Sequence, residues 1–538
     1  MAGTIEPLSP AQPAKSQVTK LAPRAIPAAV IGEVLAIVLL VALADVTIYR
    51  GAGFAGLALL LVAAPALLAL GSPARRMGLS FWIILGMLGL LGARLLWLGS
   101  PLAVLVGAGL LVACALALRG LRPYVLDVAA GAAQLVVAGG VGFQNYLRAA
   151  TGVSPQLSAW FCLSVLLPAG ALVLFGTLFV LANPDLVTAV VNGVERISRL
   201  IADWLEGLSN NSWEIAFWLA AAYVVIGLLR PLLRRNVLPD ARPAAGSDVL
   251  VAFHEAPLYG PIRNTLWAVI GLFAVYLVFE FATLWFREFP PGFHYSGYAH
   301  QGAAWLTLAL ALATLVLSLI FRGQVLRDPR LGRLRALAWV WSAQNLLLAL
   351  TVYHRLSIYI DFNGMTRMRV IGLLGITTVV AGFVLVLWKI VHNRDFVWLI
   401  HRQLWALALA VYVYALIPVD ALVHRYNVRQ ILNGDVAPSV QISVHPISAE
   451  GYLVLAPLLH CDDPIVRDGV RAMLAERELQ AERVAAEQDN LGWTAWQVSE
   501  DVLLRQLRTR HGDWQDFSDE ALRHDAIARF RSYAYQWY

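Results

Sequence analysis

Runs of about 18 to 24 predominantly apolar residues recur along this chain, and no other feature limits its fold so severely. A helix rising 1.5 Å per residue needs about 20 such residues to cross a hydrocarbon layer about 30 Å thick. Candidate spans fall at 26–48, 54–70, 78–98, 101–118, 125–145, 158–182 and 213–230, then at 262–285, 302–321, 336–353, 370–391 and 403–422. Composition agrees: 59% of the 538 residues are apolar and 14% are charged, against about 25% charged in an ordinary soluble domain. The expected fold is all-α, a polytopic helical membrane protein of about 11–12 transmembrane helices with a small helical soluble C-terminal tail.

The chain divides accordingly. Residues 1–24, rich in Pro, Ala, Ser and Lys, read as a disordered tail. An N-terminal transmembrane bundle occupies 25–182, and its first apolar stretch is long for a cleaved leader, so it is expected to remain as a span. In 183–212 apolar residues recur three or four apart opposite a charged face, the pattern of an amphipathic interfacial helix. A second bundle fills 213–422, and a polar helical tail fills 423–538, with a charged helix from Pro464 to Gln488.

Net charge is +6, but the basic residues sit in short connections rather than on a stripe, so they set topology and nucleic acid is not an expected partner. Arg75, Arg76, Arg119 and Arg122 precede the 125–145 segment, while Arg230, Arg234, Arg235, Arg330, Arg333, Arg335, Lys389, Arg394 and Arg402 follow it. Strict alternation would place the two groups on opposite sides of the membrane, against the positive-inside rule. The glycine-rich 125–145 segment, carrying Asp127 and Gln134, is the weakest span. If it does not cross fully, both groups become cytoplasmic, and the 286–301 hairpin and the tail face outward.

Motifs for familiar chemistry are few. Gly51 to Gly56 spell G-x-G-x-x-G, but after a membrane span, where small residues serve close helix approach. No phosphate-binding G-x-x-x-x-G-K-[ST] occurs, which argues against ATP-driven transport by this chain alone. The three cysteines suggest no bridge, adjacent His460 to Asp463 cannot all reach one ion, and no metal or cofactor is expected. Charges inside spans are more informative, because each costs several kcal/mol unless paired or wetted. Glu33, Glu280 and Asp420 are therefore candidates for an intramembrane polar site.

The stretch "YHRLSIYIDFNGMTRMRV", Tyr353 to Val370, reads as a polar connection between two apolar spans. Arg355, Tyr359, Asp361, Thr366 and Arg369 are expected to form one substrate-binding site at the outward membrane edge. The forked donors of arginine suit a carboxylate or phosphate, so the ligand is an anionic small molecule or lipid headgroup. Gly364 supplies a positive-φ turn that folds Thr366 and Arg369 back. An internal Asp361–Arg369 bridge that only fastens the connection is the competing reading.

Blocks of the second half, "VYLVFEFATLWFREFPPGFHYSGYAHQGAAWL", the stretch above, "DALVHRYNVRQ" and "ISAEGYLVLAPLL", resemble in order those of a family of bacterial polytopic inner-membrane proteins catalogued only as a domain of unknown function. The resemblance covers about 275–459. It rests on Tyr295, Tyr298, Ala299 and Gly302, on Arg355, Tyr359, Gly364, Thr366 and Arg369, and on Asp420, Asn427, Tyr452 and Leu453. It implies architecture, candidate sites and a bacterial inner-membrane location, but no reaction. Three classes of function stay open: a non-ATP-driven transporter or flippase-like carrier of a polar or anionic small substrate, an integral membrane enzyme acting on a lipid-linked or envelope substrate, and a membrane sensor or scaffold subunit. Expected partners are membrane lipids and, for the C-terminal tail, another protein.

Overall fold

The structure, a computed structural model, describes residues 28–72, 76–151, 210–239, 259–282, 295–320, 329–392 and 394–537. The disordered tail expected at 1–24, the span at 158–182 and nearly all of the amphipathic helix at 183–212 lie outside the described residues.

Helices account for the architecture. Eight among the described residues are long and apolar enough to cross a membrane, or nine if one bent pair counts as a single span, and Trp213–Leu229 and Leu306–Ser318 are shorter apolar helices. This is an integral, multi-pass membrane protein. In chain order the helices are α1 (Ala28–Ala44, closed by a wide π turn at Asp45–Tyr49), α2 (Phe54–Gly71), α3 (Leu79–Trp97), α4 (Pro101–Leu118), α5 (Val125–Ala133) and α6 (Leu135–Thr151). Next come α7 (Asn210–Leu229), α8 (Tyr259–Glu280), α9 (Tyr295–Ile320), α10 (Leu331–Asn363), α11 (Arg367–His392) and α12 (Phe396–Leu416). Two of these starts, those of α4 and α12, carry a capping side chain. Ser100 accepts from the Ala103 N–H ahead of Pro101, and Asp395 accepts from the Trp398 N–H.

Two bundles result. In the first, Leu61, Leu68, Leu88, Leu91 and Leu95 form a core that also takes in Tyr412 and Ala415 of α12. The second packs Leu266, Leu317, Trp341, Val386 and Ile390 of α8 to α11. Thus α7 and α12, within the 213–422 segment by sequence, pack in space on α1 and α6 and on α4 and α5 respectively. Large apolar side chains also point outward, Leu79 at 77% and Val275 and Val278 at 71% exposure. Lipid solvates those faces as readily as a core would.

The α5–α6 pair breaks at Gln134 with a bend of 57°. Asp127 near its start accepts from the Asn236 side chain and the Val237 N–H, both at 2.6 Å. Tyr146 near its end lies under the Arg230 guanidinium, 4.4 Å from ring centre. Both ends of the pair therefore meet the segment that follows α7. That geometry gathers the arginines flanking the pair at one end of the molecule: Arg76 binds the α4 terminus, Arg119 reaches the Leu229 carbonyl, and Asn236 binds the Arg122 carbonyl. Tyr124 stacks on His401 at 3.7 Å, which ties the start of α12 to the same end.

At the opposite end sits the C-terminal region. It contains α13 (Val419–Leu432), α14 (Ser439–Ser443), α15 (Ala449–Tyr452), α16 (Pro464–Leu491), α17 (Val498–Thr509) and α18 (Glu520–Ala534), joined by short 3-10 turns. Val440, Leu455, Val466, Leu503, Trp514 and Phe530 give it a core of its own. Helix α13 carries that core across residue 423, where the polar tail is expected to begin. The region docks on the first bundle: Ala52 N–H donates to Thr494, and Gly99 N–H to Gln497. A Cβ on Gly53 would stand 2.7 Å from the Ala495 Cα, so a small residue is required there.

Candidate functional site at the membrane edge

The polar stretch is mostly helix. With 33 residues α10 is about 50 Å long, well beyond one hydrocarbon thickness, so it continues past Tyr353 to Asn363. The connection expected over 354–369 therefore shrinks to Gly364, Met365 and Thr366. Nothing in Arg355 to Phe362 breaks a helix, whereas Asn363-Gly364 does. Gly364 stands at φ +88°, and a Cβ on it would meet the Asn427 amide at 2.7 Å and Pro438 at 2.8 Å. Buried Asn427 reads the turn as a backbone would, accepting from the Met365 N–H at 2.7 Å and donating to its carbonyl at 3.0 Å. Thr366 accepts from the Arg369 N–H at 3.2 Å, closing the first turn of α11.

The five residues expected in one site are divided among three environments. Arg355, 5% exposed, points down the helix to Glu280, 0% exposed, and forms two parallel bonds of 2.5 and 2.8 Å. Tyr276 completes that pocket with a 2.9 Å bond to the same carboxylate. Asp361 turns outward and accepts from Tyr426, which in turn accepts from Gln430, each at 3.0 Å. Tyr359, Thr366 and Arg369 do come together. The Arg369 guanidinium lies 3.8 Å from the Tyr359 ring centre and donates through one terminal nitrogen to Asn363. The Asp361–Arg369 bridge is not formed.

Arg369 is 4% exposed, and its Nε and its other terminal nitrogen have no hydrogen-bond partner. Each buried donor left unmade costs about 1–3 kcal/mol. Asn363, which orients Arg369, is itself held by the C-terminal region: Gln441 donates to its carbonyl at 2.8 Å, and its amide reaches the Trp537 carbonyl at 3.3 Å. Sequence reading passed over Asn363 and Gln441, although the Asn-Gly pair marks the turn; Gln441 carries no signal, since only the docked tail brings it near.

Beside this seam lies a second polar group. Asp420 receives both arms of Arg367 and the Ser448 N–H at 3.0 Å, and Arg367 also donates to the Pro446 carbonyl. Burial alone would raise the Asp420 pKa, but the Arg367 fork and the Ser448 N–H hold it below the usual carboxylate range. Glu450 shifts upward through burial, against the pull of Arg94 at 3.1 Å and with the nearby Asp420 charge. Burial pushes His424 down to about 4. The His424 Nδ1 and the Ser448 hydroxyl are each without a hydrogen-bond partner, so they form no nucleophile–base pair.

The three acids expected to mark an intramembrane polar site are each matched by an arginine, in three separate places. Glu33, at the opposite end from the seam, receives Arg230 at 2.6 and 2.8 Å; Glu280 takes Arg355 and Asp420 takes Arg367. Tyr295, Tyr298 and Gly302 lie in the first turns of α9.

No curated protein and no solved structure matches the chain. A family model described as a domain of unknown function, DUF4153, matches residues 28–457. The match begins far before residue 275, where the resemblance of the motifs starts, and takes in the first bundle as well. It closes inside the C-terminal region, so the seam, from Glu280 through Gly364 and Asn427 to Glu450, falls within it, and the chain belongs to the DUF4153 family of domains of unknown function.

Proposed function

We propose that this protein is a non-ATP-driven, flippase-like carrier of a polar or anionic substrate in a bacterial inner membrane, with Arg369 as the group that receives the anion. The carrying observation is a buried guanidinium with two donors unmade. A carboxylate or phosphate oxygen is the strong acceptor for such a donor, and its arrival would recover the cost of a missing bond. Two further features support a carrier over a static anchor: the Glu280–Arg355 pair held among apolar helices, and the helix pair broken at Gln134. The arginine-rich end faces the cytoplasm and the C-terminal region the exterior, following the positive-inside rule.

Arg369→Lys keeps the charge and loses the planar spread of guanidinium donors. Inorganic phosphate and vesicles carrying an anionic lipid are expected to raise the thermal midpoint of the wild-type protein and to leave that of Arg369→Lys unmoved. Unliganded stabilities should agree within about 1 kcal/mol. A phosphate effect that persists in the variant, or a variant that does not fold, overturns the assignment. Cysteines at Arg235 and Ser518 should react with an impermeant reagent from opposite sides; reaction from one side overturns the orientation.

A further inference from the structure

A cavity of about 880 Å³ opens between the first bundle and the C-terminal region, away from the Arg369 seam. Its floor is built by α2 and α3, where Ala58, Val62, Gly89 and Gly92 leave a trough between two spans. A Cβ on Gly89 would meet nothing within 4 Å, so the trough is open at that point. Its roof belongs to the C-terminal region, where the acidic Asp489, Glu500 and Asp501 stand with Trp493, Trp496 and Leu504.

The cavity thus crosses the boundary between membrane helices and the water-facing region, apolar at one end and acidic and aromatic at the other. Ala55 to Val62 cover about 10 Å of helix, room for roughly the upper half of an acyl chain. An amphiphile matches both ends at once; a free solute matches only one.

Charge selects the headgroup. Among the described residues, no lysine or arginine lines the cavity. Glu500 is already bound to Arg477 and Asp501 to Arg505, while Asp489 enters none of the ion pairs among the described residues. Trp493 and Trp496 stay 55% and 42% exposed beside it. Indole faces attract cations, and a carboxylate next to them adds charge and a hydrogen-bond acceptor. We infer that this groove seats a phospholipid with a primary-amine headgroup, one acyl chain along α2 and α3 and the ammonium between Asp489 and the two tryptophans.

The proposal is independent of the carrier reading, since neither the cavity nor its rim includes Arg369. The test uses the full chain in detergent, offered equal amounts of phosphatidylethanolamine, phosphatidylcholine and phosphatidylglycerol with identical acyl chains, with retained lipid read by native mass spectrometry. Phosphatidylethanolamine should be retained over each competitor by roughly threefold or more. Two variants carry the test: Asp489→Asn removes the exposed carboxylate, and Gly89→Leu fills the trough where space is free. Each should abolish the preference while the thermal midpoint stays near the wild-type value. Equal retention of the three lipids, no retained lipid, or a preference that survives either substitution overturns the assignment.

Discussion

Arg355 and Arg369 come from one short segment and are buried to the same degree, yet the fold treats them in opposite ways. Arg355 has both arms on a carboxylate that Tyr276 also holds. Arg369 has one amide and an aromatic face, and two nitrogens with nothing. A charge buried with its partner satisfied is a structural element whose removal leaves the partner stranded. A buried charge with donors left over costs stability, and retaining it calls for a use elsewhere. The difference separates a fastener from a receptor within a few helical turns.

The largest effect should come from breaking the fastener. Glu280→Gln strands the Arg355 guanidinium among apolar helices and should cost about 3–5 kcal/mol, read as a large drop in thermal midpoint in detergent. Glu280→Leu combined with Arg355→Leu should recover most of that loss, because two matched apolar side chains need no partner there. A single and a double variant of equal stability would erase the contrast between the two arginines.

Next in size is the pH dependence of the seam. His424 is buried, which lowers its pKa to about 4; Asp420 pulls it upward, while Arg367 and His445 push it down. The unfolded chain takes up this proton near pH 6.5 and the folded one only near 4. Stability from this residue is therefore complete above about 6.5 and is lost as pH falls towards 4, by roughly 3 kcal/mol. His424→Phe should flatten the midpoint-versus-pH curve in that window. An unchanged slope would remove His424 from the account of the seam.

The smallest of the three is the turn. Gly364→Ala imposes a Cβ at a positive φ and against Asn427 and Pro438, with an expected cost of about 1–3 kcal/mol. Its value is diagnostic. Because Gly364 sets how Asn363 and Thr366 face Arg369, the substitution should weaken phosphate stabilisation more than it weakens the Glu280–Arg355 pocket. Equal phosphate shifts in the variant and wild type would show that the receptor does not depend on the turn.

Family membership sharpens where these tests apply. The matched region takes in the first bundle, the seam and the first helices of the C-terminal region, and it stops before α16. The groove roof, from Ala481 to Leu504, lies beyond it. Anion reception at Arg369 is thus a question for the matched region, and lipid seating at Asp489 one for the residues beyond it.

Much of the architecture was legible from residue order. Apolar run length dictated membrane helices because a bilayer demands about 20 apolar residues per crossing whatever their neighbours are. The clash between the arginine groups exposed the 125–145 segment as the doubtful span, and Gly364 announced its turn because few other residues adopt positive φ. Pairing was not legible. Glu33 and Arg230, Glu280 and Arg355, and Asp420 and Arg367 are separated by long stretches of chain, and nothing local distinguishes a carboxylate that will meet an arginine from one that will line a cavity. The same limit hid Asn363 and Gln441, whose roles exist only once the tail docks on the end of α10. Hydrophobic length is a property each segment carries alone, so sequence determined it; the partner of a buried charge is a property of two segments, so only the tertiary structure decided it.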